Sequence, residues 1–564
     1  MTHFKEIQYN RPDASLWKQN FNNGLQLLKE ATNEMDFTEN FDNLNQLRVD
    51  FDARATICSI RHSIDTKDSF YENENLFFDE TYPELQELII DFQKTVLQSP
   101  FRTHLEKKLG KQYFIYAEES VKSFLPEIVD ELKEENKLST RYNQIKAKAE
   151  IKYKDKTYNL SSIAELESST DRETRKDSQE LKWNFFETHA PDIEKIYGDL
   201  VGLRHKMAIK LGYKNYIELG YARMKRSDYN ASMVATFRQQ ILEEVLPLCN
   251  ELYQRQSKRL NIEHMAYYDY SLMFLSGNPF PKGDESWMRE KASQMYGELS
   301  KETDVFFQMM LTEGLMDLPS REGKMNGGYC TFIPGIQKPF IFSNFNNTSH
   351  DVTVLTHEAG HAFQCYQSRN LNYDCIWPTY EACEIHSMSM EFFTWPWMHL
   401  FFQEDTDKFL FEHLSAALLF LPYGCAVDEF QHEVYLHPEM STEERNRTWR
   451  NIEKKYLPHR NYLAGSFLDK GGFWQKQSHI FSSPFYYIDY VLAQICAFQF
   501  WQRSKDSFPD AWTSYLHLCS LGGSASFLEL VKEAGLNNPF EAGTVKKAMQ
   551  PVIDFLKNID DSKL

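Results

Sequence analysis

Apolar side chains return every three or four positions over roughly the first 250 residues, and that period leaves little room for anything but helices. Leu85, Leu88, Phe92 and Val96 carry it, as do Phe124, Ile128 and Leu132, in a stretch from Ala14 to about Glu194 otherwise rich in charge and helix formers. Only 23 glycines and 20 prolines occur among 564 residues, well under the roughly 12% of average usage. Phe, Tyr and Trp make up 15%, so few turns and many aromatics agree with long, well-packed helices. Tyr153 to Ser161 alternates like a small hairpin, and Ser168 to Arg175 carries helix-start chemistry with Asp171 and Glu173 in a first turn. Helical patterning continues to Tyr253, with breaks expected near Gly212 and Gly220. The length exceeds what one hydrophobic core supports, so at least two lobes or domains are expected. No repeat or Pro/Gly/Ser linker marks a border, and the division into a helical amino-terminal region, 1–195, and a remainder, 196–564, is soft.

Lys and Arg number 62 against 81 Asp and Glu, a net charge of −19. Such a chain repels phosphate backbones and anionic lipid, so neither nucleic acid nor a membrane is an expected partner. Residues 1–20 show no apolar core of a secretory signal. The longest apolar stretch, Leu414 to Val427, is interrupted by Ser415, Pro422 and Gly424 and reads as too short to span a bilayer. Nine scattered cysteines, never spaced C-x-x-C, read as reduced, mostly buried thiols of a cytoplasmic protein.

The texture changes between Gly323 and Phe345, where glycines, prolines and β-branched or aromatic residues signal a hairpin. Thr348 to Asp351 then offers a capping-box-like helix start, followed at helical spacing by Val352, Leu355, Ala359 and Phe363. Inside that helix lies His357-Glu358-Ala359-Gly360-His361, an H-E-x-x-H motif. Residues four apart sit about 40° from each other around a helix and about 6 Å along it, so both imidazoles reach one metal from the same face. Glu358 stands beside that face, free to take a proton from a metal-activated water. A bare motif of this kind turns up by chance roughly once in 20 to 30 chains of such composition, so context decides. Gly360 costs about 1 kcal/mol relative to Ala in a helix interior, which implies that something packs closely there. The preceding hairpin, with Gly328 and Tyr329, suits a substrate-binding edge strand.

A catalytic zinc site needs a third protein ligand and an open fourth position. Glu381, Glu384 and Glu391 follow, and Glu384 and Glu391 project from one helical face with Ser387 between them. One carboxylate can bind metal while the other orients a ligand imidazole. Cys365 lies too far along the axis from His357 to share an ion, and His386 points away from Glu384, toward solvent or a local hydrogen bond. The near-motif His432-Glu433 with His437 splays its imidazoles about 140° apart and is not a metal site. On spacing alone, Tyr486, Tyr487 and Tyr490 read as an aromatic stripe of a core helix rather than as a site.

Together His357, Glu358, Gly360, His361, Glu384, Ser387 and Glu391, with the flanking stretches around 339–362 and 479–501, resemble the thimet oligopeptidase/oligoendopeptidase F family of zinc metallopeptidases, especially its oligoendopeptidase F branch. The likeness runs from about residue 200 to the carboxyl end, and the first 195 residues are compatible with the family's helical amino-terminal region. It implies a mainly α, gluzincin-like fold in which two helical lobes enclose a deep substrate channel, with a small β-sheet or hairpin next to the zinc-binding helix. It further implies one zinc per chain, with Glu384 as third ligand and Glu358 as base. His479 and Tyr490, the latter placed by the Y-x-x-Y register, would stabilise the oxyanion. Tyr487 would touch substrate and Glu391 would support a ligand. The expected activity is endopeptidase cleavage of short oligopeptides. A dipeptidyl carboxypeptidase or other exopeptidase on the same fold is the nearest rival, although no G-x-M-E-N segment of common zinc aminopeptidases is present. A non-catalytic peptide-binding helical protein is the remaining alternative.

Overall fold

Asp13, Asn33 and Asp68 each accept a hydrogen bond from a first-turn backbone N–H of the helix that follows, satisfying donors that have no partner inside a helix. They start α1 (Ala14–Glu30), α2 (Glu34–Ile64) and α3 (Ser69–Gln98), which pack through Phe21, Phe41, Leu44, Phe92 and Val96. These elements belong to a computed structural model that describes residues 3–564. Met1 and Thr2, at the head of the stretch read for a secretory signal, lie outside them. The pattern Phe124, Ile128, Leu132 is not one helix. Pro126 keeps Leu125 extended, at φ −136° and ψ 151°, and α4 (Val129–Ala147) starts only after a short 3-10 turn.

The small hairpin is present as β1 (Ile151–Tyr153) and β2 (Lys156–Tyr158), paired antiparallel. Asp171 caps α5 (Arg172–Lys210) by accepting from the Thr174 N–H, one position outside the first turn where the sequence reading put it. The helix passes unbroken through residue 195, so the soft border drawn there falls inside a continuous element. It ends just before Gly212, as expected. Gly220, expected to break a helix, instead lies inside the helix Tyr216–Arg223. A Cβ there would fall 2.7 Å from the Phe485 ring, so close packing rather than a turn explains it.

Three strands, β3 (Met316–Pro319), β4 (Tyr329–Ile333) and β5 (Lys338–Phe345), form a sheet in the order β3-β5-β4. The antiparallel pair of β4 and β5 is the expected hairpin, and β3 adds a parallel strand that four residues were too few to signal. Directly after β5 comes α6 (His350–Gln367). Its capping box does not form: Ser349 makes no side-chain cap, and Asp351 turns back to accept from the Asn346 and Asn347 N–H groups.

α7 (Tyr380–Phe393), α8 (Thr406–Leu436) and α9 (Tyr487–Asp506) complete the core around α6. Every residue of α7 from Glu381 onward is buried between α6 and α9. Pro422 does not interrupt α8, which is long and apolar enough to cross a membrane by length and composition, yet it packs as a core helix. At the α6–α7 crossing, a Cβ on Gly360 would stand 2.7 Å from the Ser387 Cα and 2.8 Å from the His386 carbonyl oxygen. Gly360→Ala is therefore expected to destabilise the protein in urea titration. Overpacking costs about 1–3 kcal/mol and exceeds the roughly 1 kcal/mol that Ala gains in a helix. A net gain in stability would refute the tight crossing.

Candidate metal centre

One turn of α6 separates His357 from His361 and presents both rings toward α7, their centroids 5.0 Å apart. The Glu384 carboxylate meets them from α7, its Oε2 lying 3.2 Å from His357 Nε2 and 3.4 Å from His361 Nε2. Four-coordinate zinc with bonds near 2.0–2.1 Å requires ligand atoms about 3.3–3.4 Å apart, and the two distances to Glu384 have that size, with all three atoms within 4.8 Å of one another. The donor chemistry fits as well, since two imidazoles and one carboxylate are a known catalytic zinc set. Glu384 is wholly buried. Burial would raise its pKa, but His361 and His357 hold it well below the carboxylate range. Burial likewise opposes a charge on His357, and the carboxylates of Glu384 and Glu391 outweigh it. The pocket thus favours positive charge where the three side chains converge.

Neighbouring side chains fix the ligands. His357 donates from Nδ1 to Glu391 Oε1 at 2.7 Å, which leaves Nε2 with its lone pair facing the triangle. Glu391 also accepts from His413 Nε2 at 2.7 Å, because the Trp395 indole N–H occupies His413 Nδ1 at 3.2 Å. Glu384 accepts from Ser387 Oγ at 2.8 Å and from the Tyr486 phenol. His413 and Trp395 were invisible to sequence reasoning, since α8 is joined to α7 by nothing that spacing can register. Cys365 is buried with its thiol on the Ala362 carbonyl, and His432 is held by Asp428 and Tyr221. His386 is fully buried rather than solvent-facing, with Nδ1 on the Ala382 carbonyl.

Glu358 is buried with Oε2 unpartnered, and Gly328 stands over it, a Cβ there being 3.3 Å from Glu358 Oε1. Burial raises its pKa against the pull of His357 and His361. All these groups line a cavity of about 650 Å³, together with His479, Tyr486 and Tyr490. His479 Nε2 and Tyr490 Oη are 3.2 Å apart. Tyr487 does not line the cavity and instead packs behind His479, 5.0 Å between ring centroids. Tyr329, Cys330 and Thr331, on the outer strand β4, line this cavity and also a second of about 580 Å³ walled by α2, α3 and α4. A triangle that could hold a metal ion, an unpartnered carboxylate and two polar side chains across one cleft are the parts a hydrolytic site requires.

Residues 4–124 match the family described as Peptidase M3 N-terminal domain, and residues 289–550 the one described as Peptidase family M3. An oligoendopeptidase F homolog of Borreliella burgdorferi is 26% identical over 310 residues, covering 52% of this chain and 51% of that protein. Another, of Mycoplasma genitalium, is 21% identical over 427 residues, covering 69% and 66%. The matches thus span half to about two thirds of the length of these curated relatives. Among solved structures, PZ peptidase A with an inhibitor is 49% identical, with a TM-score of 0.98 over 99% of this chain and 100% of that one.

Proposed function

The chain belongs to peptidase family M3, and from that premise we propose that it is a zinc-dependent endopeptidase hydrolysing internal bonds of short oligopeptides. The observation that carries this reading is the triangle of His357, His361 and Glu384 with the unpartnered Glu358 beside it. Zinc held by those three ligands would supply a Lewis acid that acidifies water and polarises a peptide carbonyl. Glu358 takes the proton of the attacking water and passes it to the leaving amine. Tyr490 and His479 donate to the carbonyl oxygen as it gains charge, in a water-poor cleft where such donors count for most. Glu391 holds the His357 ring in place.

The substrate lies along β4, where Gly328 and Tyr329 meet it and an outer strand offers backbone hydrogen bonds to an extended peptide. The second cavity beyond Tyr329 to Thr331 gives that peptide room to continue past the ligands, which favours internal cleavage over trimming of ends. Cytoplasmic localisation is part of the same proposal, in keeping with nine unpaired thiols, eight of them buried. The test is mass spectrometry of an end-blocked peptide ladder with and without chelator. Internal cuts that vanish with chelator and return with zinc are expected. Release of terminal residues from free-ended peptides alone would replace the endopeptidase by an exopeptidase, and chelator-resistant cleavage would remove the metal.

A further inference from the structure

His479 sits at the start of a short helical turn, Ser478–Ser482, and its two ring nitrogens face different neighbours. Nε2 faces Tyr490 Oη and the cavity. Nδ1 faces the Gln477 side-chain amide at 2.7 Å, and the Gln477 Oε1 is 2.7 Å from Tyr423 Oη. Gln477 is buried, so the direction of its amide is set by those two contacts. The Tyr423 ring is flanked by the Arg460 guanidinium and the Lys476 amine, 5.4 and 5.6 Å from its centroid. The guanidinium accepts no hydrogen bond, and the Tyr423 hydroxyl meets Gln477 alone. The Tyr423 hydroxyl therefore gives its hydrogen to Gln477 Oε1, since a buried O–H without an acceptor costs about 1–3 kcal/mol. That leaves the Gln477 NH₂ group toward His479 Nδ1, which must present a lone pair to it.

We propose that Gln477, held by Tyr423, is a positioning residue that fixes His479 as the Nε2–H tautomer and so keeps a neutral hydrogen-bond donor aimed at the developing oxyanion. This rests on the reading of His479 as an oxyanion donor. Burial, reinforced by the Lys146 ammonium, pushes the imidazole down to about 4, and Glu384 opposes them weakly. The other groups around the ring are Tyr486, Tyr487 and Tyr490 of α9. A neutral ring has only one N–H to offer, and Gln477 directs it to the productive side. The donor then needs no second proton, as with neutral histidine electrophiles elsewhere.

The direct test is ¹⁵N NMR of histidine-labelled protein, with His479 assigned by difference against His479→Gln. A pyridine-type Nδ1 and a pyrrole-type Nε2 are expected at neutral pH, with or without metal, and the reverse pattern would overturn the assignment. Gln477→Glu makes Nδ1 the donor, so the neutral ring shows the cavity a bare Nε2. Its kcat is expected to fall about 10²-fold at alkaline pH and to recover as the ring gains a second proton, with KM changed less than about twofold. A kcat profile like the wild type's would overturn the proposal. If the new carboxylate prevents folding, Gln477→Met keeps the volume and removes the donor; mixed tautomers are expected, and a pure Nε2–H signal would overturn it. Full kcat in His479→Gln beside an intact Nε2–H signature would instead reject the oxyanion role and leave the tautomer standing.

Discussion

Glu358→Gln is expected to keep one metal per chain and lose about 10²- to 10⁴-fold in kcat. The carboxylate is close to the His357–His361–Glu384 triangle without belonging to it. Its Oε2 has no partner, and the contact with Gly328 is one an amide of the same shape also makes. Gln therefore disturbs neither packing nor ligands, and it removes a buried charge rather than stranding one. What it removes is the basicity of the group beside the attacking water. Metal analysis and kcat on an end-blocked peptide are the measurements. KM is expected to stay near the wild-type value, and turnover close to wild type would end the assignment of Glu358 as base.

Arg204→Ala is expected to cost about 3–5 kcal/mol of stability, the largest loss for any single substitution considered. Arg204 is fully buried in α5 and donates to Glu135 Oε1 at 2.7 Å, to Tyr435 Oη and the Ile480 carbonyl at 3.0 Å, and to the Phe481 carbonyl. Its removal takes the donor from the Ile480 carbonyl, leaves the Phe481 carbonyl with Ser139 alone and leaves Glu135 with Arg223 alone. Burial would raise Glu135, but Arg223 and Arg204 hold it down to about 2. The stabilisation is thus complete above the unfolded-state pKa near 4.3 and is lost as pH falls toward 2. Urea titrations at pH 7 and pH 3 measure both effects: the gap between wild type and variant is expected to narrow at the lower pH. A loss below about 1 kcal/mol at pH 7 would contradict the buried pair.

What the sequence made legible follows the range of the interactions. His357 and His361 could be read because the helix itself sets their geometry, and Gly360 because a glycine inside that helix needs a close neighbour, which proves to be Ser387 of α7. Glu384 and Glu391 were narrowed by helical spacing and separated by the family likeness. His413 and Tyr423 reach Glu391 and Gln477 from a helix distant in sequence, and no period encodes which side chain of one meets which of another; Trp395 and Gln477 sit in short turns that carry no periodic signal. Errors had local causes: Pro126 cut a helical pattern that hydrophobicity alone continued, and Asp351 satisfied the loop instead of the helix. Tyr487 packs behind His479 rather than lining the cavity, while its neighbour Tyr486 reaches Glu384.

The turn that carries His479 hangs from the amino-terminal half of the chain. Tyr142 donates to the Gln475 carbonyl, Lys146 to the Lys476 carbonyl and Ser478 Oγ, Ser139 to the Phe481 carbonyl, and Arg204 to the Ile480 carbonyl and again to that of Phe481. A fragment trimmed to residues 289–550, the stretch matched as Peptidase family M3, would retain His357, His361, Glu384, His479 and Tyr490 in its sequence but none of these anchors. Such a fragment would keep the residues of the proposed site and lose what holds the His479 turn in place. The amino-terminal helices are accordingly part of the catalytic jig, and evolution or engineering can exchange them only together with the turn they grip.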